Sequence, residues 1–137
     1  MTPEQIDEYL SRPMIADLAS LNPDGSPHVA PVWFRWDGEV VKVFTQTTAV
    51  KVRNIRQDAR VAVSVATQEA PYGYVIVNGT AVISSEGIPD EVRAMAIHYK
   101  GEVEGEIYIQ QALQEMEFCL LTITPTKIIG WLDEEQG

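Results

Sequence analysis

The 137-residue sequence predicts a mainly β protein, in which six or seven antiparallel strands form a closed or nearly closed barrel with a few short helices. Three observations predict this fold class. Apolar and polar residues alternate in several short segments, turn-forming residues separate those segments, and few stretches repeat apolar residues at helical spacing. We expect one domain over residues 1–137, because a chain of this length builds one core comfortably but rarely two.

The N-terminal third is predicted to form a helix and then a meander of strands. Residues 2–10 begin with TPEQ, the pattern of a capping box with a proline in the first turn, and therefore predict a short helix. Strands are predicted over residues 13–21 and 28–36, separated by the turn-rich segment NPDGSP. A two-residue type I′ turn at Asp37–Gly38 then leads into a strand over residues 39–45.

The rest of the chain alternates between the two periodicities. Residues 47–59 carry a helical stripe of apolar residues, with Thr47 or Thr48 as the predicted N-cap. The following segment places Val61, Val63 and Val65 on one face of a strand. The predicted elements after the first helical stripe are strands at 59–67 and at 72–84 with a bend at Gly79, a helix at 88–101, an amphipathic segment at 106–116, and strands at 117–124 and 127–132.

Both faces of the predicted strand at 28–36 are largely apolar. The two faces are His28, Ala30, Val32, Phe34 and Trp36, and Val29, Pro31, Trp33 and Arg35. Because only one side of a barrel strand faces the core, a helix, a ligand or a second subunit must cover the other. We interpret this pattern as a sign of a homodimer.

Composition excludes several classes of partner. The formal net charge of −10 argues against nucleic acid and anionic membranes, no apolar run is long enough to span a bilayer, and the N-terminus lacks the pattern of a secretory signal. We therefore expect a cytoplasmic protein. The single cysteine, Cys119, is predicted to be a buried apolar side chain, and the spacing of His28 and His98 gives no metal site.

A cluster of positive charge interrupts this acidic chain. Lys51, Arg53, Arg56 and Arg60 lie within ten positions that contain one acid, Asp58. A helix that begins beside two threonines offers free backbone N–H groups and the positive end of its dipole to an anion, and Lys51 can add its charge. Arg53 and Arg56 share a different face of the helix. The alternative interpretation is a solvated basic surface.

Catalytic motifs of hydrolases and kinases are absent from the sequence, so no catalytic side chain is predicted. Aromatic residues lie on or beside several strands, where they could sandwich a planar heterocycle. These residues are Trp33, Tyr72, Tyr74 and Trp131. An anion site together with flat apolar side chains favours a small ligand that has both a phosphate and a ring.

The segment from Leu18 to Ile83, which contains DGSPHVAPVW and then KVRNIRQDARV, resembles the pyridoxamine 5′-phosphate oxidase-like FMN-binding split-barrel superfamily, and most closely its F420/FMN-dependent reductase branch. Ala59 takes the place of the proline that is usual in the family. The resemblance implies a homodimeric split β-barrel that binds FMN or the deazaflavin F420 at the subunit interface. It implies that Lys51 contacts the phosphate, and that Tyr72 and Tyr74 reach a cofactor or substrate pocket from their own or the other subunit. The full set of implied cofactor-binding residues is Val32, Trp33, Phe34, Thr45, Gln46, Thr47, Thr48, Lys51, Arg53, Asn54, Tyr72 and Tyr74.

The function implied by the resemblance is an oxidoreductase that moves a hydride between FMN or F420 and a small organic substrate. In such enzymes the cofactor carries the chemistry, so no catalytic triad is required. Because the C-terminal GWLDEEQG has neither the arginine nor the histidine that true pyridoxamine phosphate oxidases use, we expect a different substrate. The alternative is a non-catalytic flavin- or haem-binding module. The choice between FMN and F420, and the contact of Arg53, Arg56 and Arg60 with a polyanionic tail, stay open.

Overall fold

Seven antiparallel strands form one curled sheet, a half-barrel, with four short helices, in the computed structural model, which describes residues 1–133. The predicted fold class is confirmed. In chain order the elements are α1 Pro3–Leu10, β1 Ala16–Leu21, β2 Pro27–Val32, β3 Arg35–Trp36, β4 Val41–Gln46, α2 Val50–Gln57, β5 Arg60–Ala66, β6 Gly73–Ser84, α3 Ile88–Lys100, α4 Glu102–Glu115 and β7 Phe118–Leu132. In this part of the chain no helix is long and apolar enough to cross a membrane.

The order of the strands explains why the sheet curls. It is β2-β1-β5-β6-β7-β4-β3, so the two edge strands follow each other directly in the sequence. Trp33 and Phe34 alone join them, and two linking residues span at most about 10 Å. The edges must therefore approach each other. The predicted single strand at 28–36 is wrong, because the chain leaves one edge at Val32 and enters the other at Arg35.

The Tyr99 hydroxyl of α3 holds this crossing in place. It accepts a hydrogen bond from the Phe34 N–H at 3.0 Å and donates to the Met14 carbonyl at 2.7 Å. At the crossing, the Phe34 N–H therefore bonds to a side chain and not to a neighbouring strand. Buried backbone N–H groups need such a partner. These hydrogen bonds connect α3 to the segment where the chain crosses from β2 to β3.

The core fills the concave side of the sheet. Val61, Val63 and Val65 are buried on one face of β5, as predicted, and valines of the neighbouring strands complete the layer. Removing a side chain of this size from water stabilises the fold by about 1.5–3 kcal/mol. Helix α1 closes one end of the core, where the buried Tyr9 hydroxyl donates to the Gly73 carbonyl and accepts from the Thr67 N–H. The capping box predicted for this helix is confirmed.

The turn after β3 differs from the prediction by one residue. The Asp37 N–H bonds to the Val40 carbonyl, which leaves Gly38 and Glu39 as the two residues of the loop. Gly38 has φ of +99°, a conformation that glycine adopts readily at the first central position of a type II′ turn. The connection has two residues as predicted, but its centre is at 38–39 and it is not a type I′ turn at 37–38.

The start of α2 also differs from the prediction, because Ala49 and not Thr47 or Thr48 is its N-cap, and no side chain caps it. The Thr47 N–H bonds to the Glu117 carbonyl at 3.0 Å, which extends the ladder between β4 and β7 by one residue. The Ala49 N–H then bonds to the Gln46 carbonyl and closes a turn. Both threonines therefore belong to the connection between strand and helix.

Strand β7 is one strand where the sequence predicts two. The Pro125-Thr126 segment, predicted to separate them, contains an extra residue, because Gly79 pairs with Pro125 and Asn78 pairs with Lys127. The unpaired Thr126 donates its hydroxyl to the Asn78 carbonyl at 3.1 Å. A bulge thus accommodates the proline, which has no N–H for the ladder, and the strand continues through it. The bend predicted at Gly79 coincides with this irregularity.

Helices α3 and α4 pack together over the convex side of β4 and β7. Their cluster consists of Val92, Ala96, Ile109, Ala112 and Phe118, with partly buried aromatic side chains around it. The end of α3 at Gly101 is as predicted. An ion cluster fixes α3 to the sheet: the Arg35 guanidinium donates two hydrogen bonds to the buried Glu91 carboxylate at 2.6 and 2.7 Å, and Lys42 lies 3.7 Å from it.

Candidate functional site

A cleft of about 430 Å³ opens where the end of β4, the start of α2 and the helix α4 meet. Its lining comes from parts of the chain that are far apart in the sequence. The lining residues are Phe44, Thr45, Gln46, Thr48, Ala49, Lys51, Tyr108, Met116 and Phe118. The structure therefore brings together four residues of the predicted site, namely Thr45, Gln46, Thr48 and Lys51.

Among the described residues that line the cleft, Lys51 is the only charged one. The side chain is half-buried, and its Nζ donates a hydrogen bond to the Thr45 Oγ1 at 3.3 Å. Burial lowers the pKa of Lys51 because it removes water from the ammonium group. Within residues 1–133 no carboxylate lies within 4.0 Å of this ammonium, whereas Arg12, Arg35 and Arg60 are each paired. A partly desolvated cation without a counter-ion is suited to bind an anion.

The start of α2 adds backbone donors at the same place. The Val52 N–H makes the bond to the Ala49 carbonyl, so the Val50 and Lys51 N–H groups precede the helical hydrogen bonds. Thr48 and Ala49 line the cleft directly before them. The first N–H groups of a helix and the positive end of its dipole favour an anion. This end of the cleft is therefore cationic and rich in hydrogen-bond donors.

The other end of the cleft is aromatic. The rings of Phe44 and Phe118 meet edge to face with their centroids 5.2 Å apart, and the Trp33 ring lies 6.1 Å from that of Phe44. The Tyr108 ring lies 5.3 Å from the Trp33 ring. The sequence reasoning missed five lining residues, because they belong to segments that carry only a helix or a strand pattern: Phe44, Ala49, Tyr108, Met116 and Phe118.

The three residues at the chain crossing stand behind the cleft and do not line it. Val32 and Phe34 are buried in the core. Trp33 stacks on Tyr99, with the rings 4.9 Å apart and nearly parallel, and supports the aromatic wall through Phe44 and Tyr108.

Asn54 lies away from the cleft. Its side chain is completely buried and donates to the Ser20 Oγ and to the Asn22 Oδ1, both at 3.1 Å. It accepts a hydrogen bond from the exposed Arg53 at 3.2 Å. These contacts tie α2 to the end of β1 and the turn that follows it. Thr47, which also is not among the lining residues, uses its N–H in the sheet.

The remaining arginines of the basic cluster face different surroundings. Burial raises the pKa of the Cys119 thiol, and the positive charges of Arg56 and Lys51 partly offset this. The Arg56 guanidinium, like the Lys51 ammonium, is therefore close enough to Cys119 to affect the pKa of its thiol. The Arg60 side chain donates three hydrogen bonds to the Asp58 carboxylate and its backbone N–H donates a fourth, and together they lower the pKa of that carboxyl to about 2. The four cations thus have different neighbours: Lys51 and Arg56 lie near Cys119, Arg53 bonds to Asn54, and Arg60 bonds to Asp58.

Tyr72 and Tyr74 lie at the opposite end of the sheet. Tyr74 pairs across the strands with Trp131, and their rings stack 5.8 Å apart, while Tyr72 is exposed. Phe118 begins β7 and Trp131 is near its end, which separates them by on the order of 40 Å along the strand. The structure of one chain does not bring these tyrosines to the cleft.

The cleft of this half-barrel combines Lys51, which pairs with no carboxylate among residues 1–133, with backbone donors and an aromatic wall, and such groups could bind a small anionic ligand that has a ring. The family model described as pyridoxamine 5′-phosphate oxidase matches residues 2–132, nearly the whole chain. The chain therefore belongs to the pyridoxamine 5′-phosphate oxidase family, as its sequence resemblance predicts.

Solved structures agree with this assignment. An F420 reductase is 28% identical, with a TM-score of 0.73 over 90% of this chain and 94% of its own. A conserved hypothetical protein from Mycobacterium tuberculosis is 22% identical, with a TM-score of 0.80 over 98% of this chain and 87% of its own. A FAD-binding protein from Mesorhizobium loti is 16% identical, with a TM-score of 0.67 over 95% of this chain and 92% of its own. No curated protein matches the sequence. The two structures below 25% identity show the shared fold, and the family match together with the F420 reductase supports a flavin-related family.

Proposed function

We propose that the protein is an oxidoreductase that uses FMN or the deazaflavin F420 to move a hydride to or from a small organic substrate. The observation that carries this proposal is the half-buried Lys51, which has no carboxylate partner within residues 1–133 and lies at the cationic end of a cleft whose other end is aromatic. Both cofactors combine a phosphate with a flat ring system, and the cleft offers a matching surface at each end.

The residues of the cleft fit such a group. Lys51 and the first N–H groups of α2 would hold the phosphate, with the Thr45 and Thr48 hydroxyls beside them. Phe44 and Phe118 would lie against the ring system. The bound cofactor supplies the hydride chemistry, and the protein supplies orientation and electrostatics.

The composition of the lining supports a chemistry carried by the cofactor. None of the described residues that line the cleft has a carboxylate, an imidazole or a thiol. A general acid or base is normally drawn from these groups, and Tyr108 is the one titratable group besides Lys51. The role proposed for the cleft residues is thus to bind and orient.

We further propose that the protein acts as a homodimer with the cofactor at the subunit interface. The convex side of the sheet exposes apolar side chains on the adjacent strands β6 and β7 and on the edge strand β2. The larger ones are Val29, Val82, Ile129 and Trp131. Apolar surface of this kind on adjacent strands is typical of an interaction site. Tyr72 and Tyr74 of one chain do not reach the cleft of that chain. In a dimer, the tyrosines of the second copy could reach it instead.

Titration of the purified protein with FMN and with F420 tests the cofactor assignment. We expect Lys51→Ala to weaken the affinity for the cofactor by about 1–3 kcal/mol, the cost of losing a charged hydrogen bond. Lys127→Ala serves as the control, because Lys127 is an exposed lysine on β7 outside the cleft. Unchanged affinity of the Lys51 variant for both cofactors would refute the phosphate site.

Turnover distinguishes the enzyme from a carrier or store of a flavin or haem. The reduced cofactor bound to the protein should react with an organic acceptor faster than the free cofactor does. If the protein binds cofactor tightly but accelerates no acceptor in a broad panel, it is a binding module instead.

A further inference from the structure

Three tyrosines pack against the protein interior, and they differ in how their hydroxyls are used. The Tyr9 hydroxyl donates to the Gly73 carbonyl, and the Tyr99 hydroxyl donates to the Met14 carbonyl, and each also accepts a backbone N–H. The Tyr108 hydroxyl makes no hydrogen bond to any of residues 1–133. Tyr108 thus keeps a donor and an acceptor unused in the protein.

The ring of Tyr108 is held in position by its neighbours. It packs against Trp33 at a tilt of 51°, and the Lys100 Nζ lies 5.7 Å from the centroid of the ring. Burial raises the pKa of Tyr108, so its hydroxyl stays protonated at neutral pH. A neutral hydroxyl on a fixed ring can donate one hydrogen bond in a defined direction.

Tyr108 also lines the cleft that contains Lys51, and it does so from a different helix. The other aromatic lining residues, Phe44 and Phe118, offer only apolar contact. Such a wall alone would accept a hydrocarbon ring almost as well as a heterocycle. A site that hydrogen-bonds its ligand discriminates far more strongly against an analogue that lacks the polar group.

We propose that Tyr108 is a specificity-determining residue of this cleft, whose hydroxyl donates to a carbonyl or ring-nitrogen acceptor at the edge of a planar heterocycle while Lys51 binds the anionic tail of the same molecule. This inference rests on the function proposed above and deepens it. It divides recognition between two helices: α2 selects the charge, and α4 selects the polar ring.

Parallel titrations with FMN and riboflavin separate the two contributions, because riboflavin has the same ring without the phosphate. Tyr108→Phe should weaken FMN and riboflavin by the same factor, about five- to tenfold for one hydrogen bond. Lys51→Ala should weaken FMN alone. Tyr108→Leu, which removes the ring as well, should weaken riboflavin further, and Gln111→Ala, an exposed position on the same helix, should change neither. F420 and the corresponding deazaflavin without the anionic tail form a second pair of probes, which differ in the same way as FMN and riboflavin.

Three outcomes would overturn the inference. If Tyr108→Phe binds both probes of each pair as the wild type does, the hydroxyl does not contact the ligand. If it weakens FMN but not riboflavin, the hydroxyl acts on the phosphate and not on the ring. In both cases a loss of FMN affinity in Lys51→Ala would leave the proposed function intact. If the wild-type protein binds none of the four probes, the proposed function fails together with the inference. Thermal unfolding of each variant shows whether it is folded.

Discussion

Replacing Asn54 with alanine should destabilise the protein and leave the cleft unchanged. The buried Asn54 amide donates to the Ser20 Oγ and the Asn22 Oδ1, both at 3.1 Å. Each such bond contributes about 1 kcal/mol, and the buried Ser20 hydroxyl would lose its donor, which adds a further cost of similar size. We therefore expect Asn54→Ala to lower the free energy of unfolding by about 2–3 kcal/mol. Asn54→Asp keeps the size of the side chain but loses the donor, and should cost a comparable amount.

Urea denaturation measures this effect. With a slope of about 1.5–2 kcal/mol per molar urea for a protein of this size, the midpoint should fall by about 1–2 M. Arg53→Ala is the matched control, because Arg53 is exposed and adds one contact of 3.2 Å to the same amide, so its cost should stay below about 0.5–1 kcal/mol. A loss under 0.5 kcal/mol in Asn54→Ala, or a loss of FMN affinity as large as that of Lys51→Ala in a fully stable variant, would refute the structural role.

Three further predictions concern charge and packing. Because Arg60 lowers the pKa of Asp58 to about 2, the stability from this contact is present above the unfolded pKa of about 3.9 and is lost as the pH falls through 2. Arg60→Ala should raise this pKa in an NMR titration but leave it below the usual value, because the backbone N–H of residue 60 still donates to the Asp58 carboxylate. Because burial lowers the pKa of Lys51, the unfolded chain binds more protons than the native one between that lowered value and about 10.4, so the stability of the ligand-free protein rises with pH in this window. FMN affinity should fall as the pH rises through the lowered pKa of Lys51 in the wild type, and should fall less in Lys51→Ala, which lacks the titrating ammonium. Gly79→Ala would place its Cβ against the Thr124 carbonyl of the paired strand and should lower the free energy of unfolding by about 1–3 kcal/mol, measured in urea.

The elements that were predicted correctly depend on local patterns. The capped helix α1 needs only its first few residues, and the buried face of β5 follows from the alternation of Val61, Val63 and Val65. In α2 the helical stripe correctly placed Val52 and Ile55 inside. In each case the physical cause lies within about ten residues, so the sequence contains it.

The errors arose where a distant partner decides the local structure. The Thr47 N–H goes to Glu117, seventy positions away in the chain, and this contact moves the start of α2 to Val50. The strand at 28–36 breaks because the chain crosses between sheet edges, and a tyrosine of α3 binds its backbone there. The residues near either position contain no pattern that predicts these distant partners.

The residues of the candidate site show the same division. Thr45, Gln46, Thr48 and Lys51 were found together because they are close in sequence, whereas the wall that contains Tyr108 depends on how α3 and α4 fold back over β4 and β7.

The position of Tyr74 has a consequence for assembly. Tyr74 stacks on Trp131 at the far end of β7 from the cleft, so a single chain cannot use it and Lys51 on one ligand. If the family resemblance assigns both residues correctly, each site needs two chains. The part of the convex face that α3 and α4 leave uncovered exposes Val29 on β2 and Ile129 on β7. We propose that two copies pair through that face, which would bury apolar surface; if the pairing also brings Tyr74 of one copy to the cleft of the other, binding of the cofactor and dimerisation would reinforce each other.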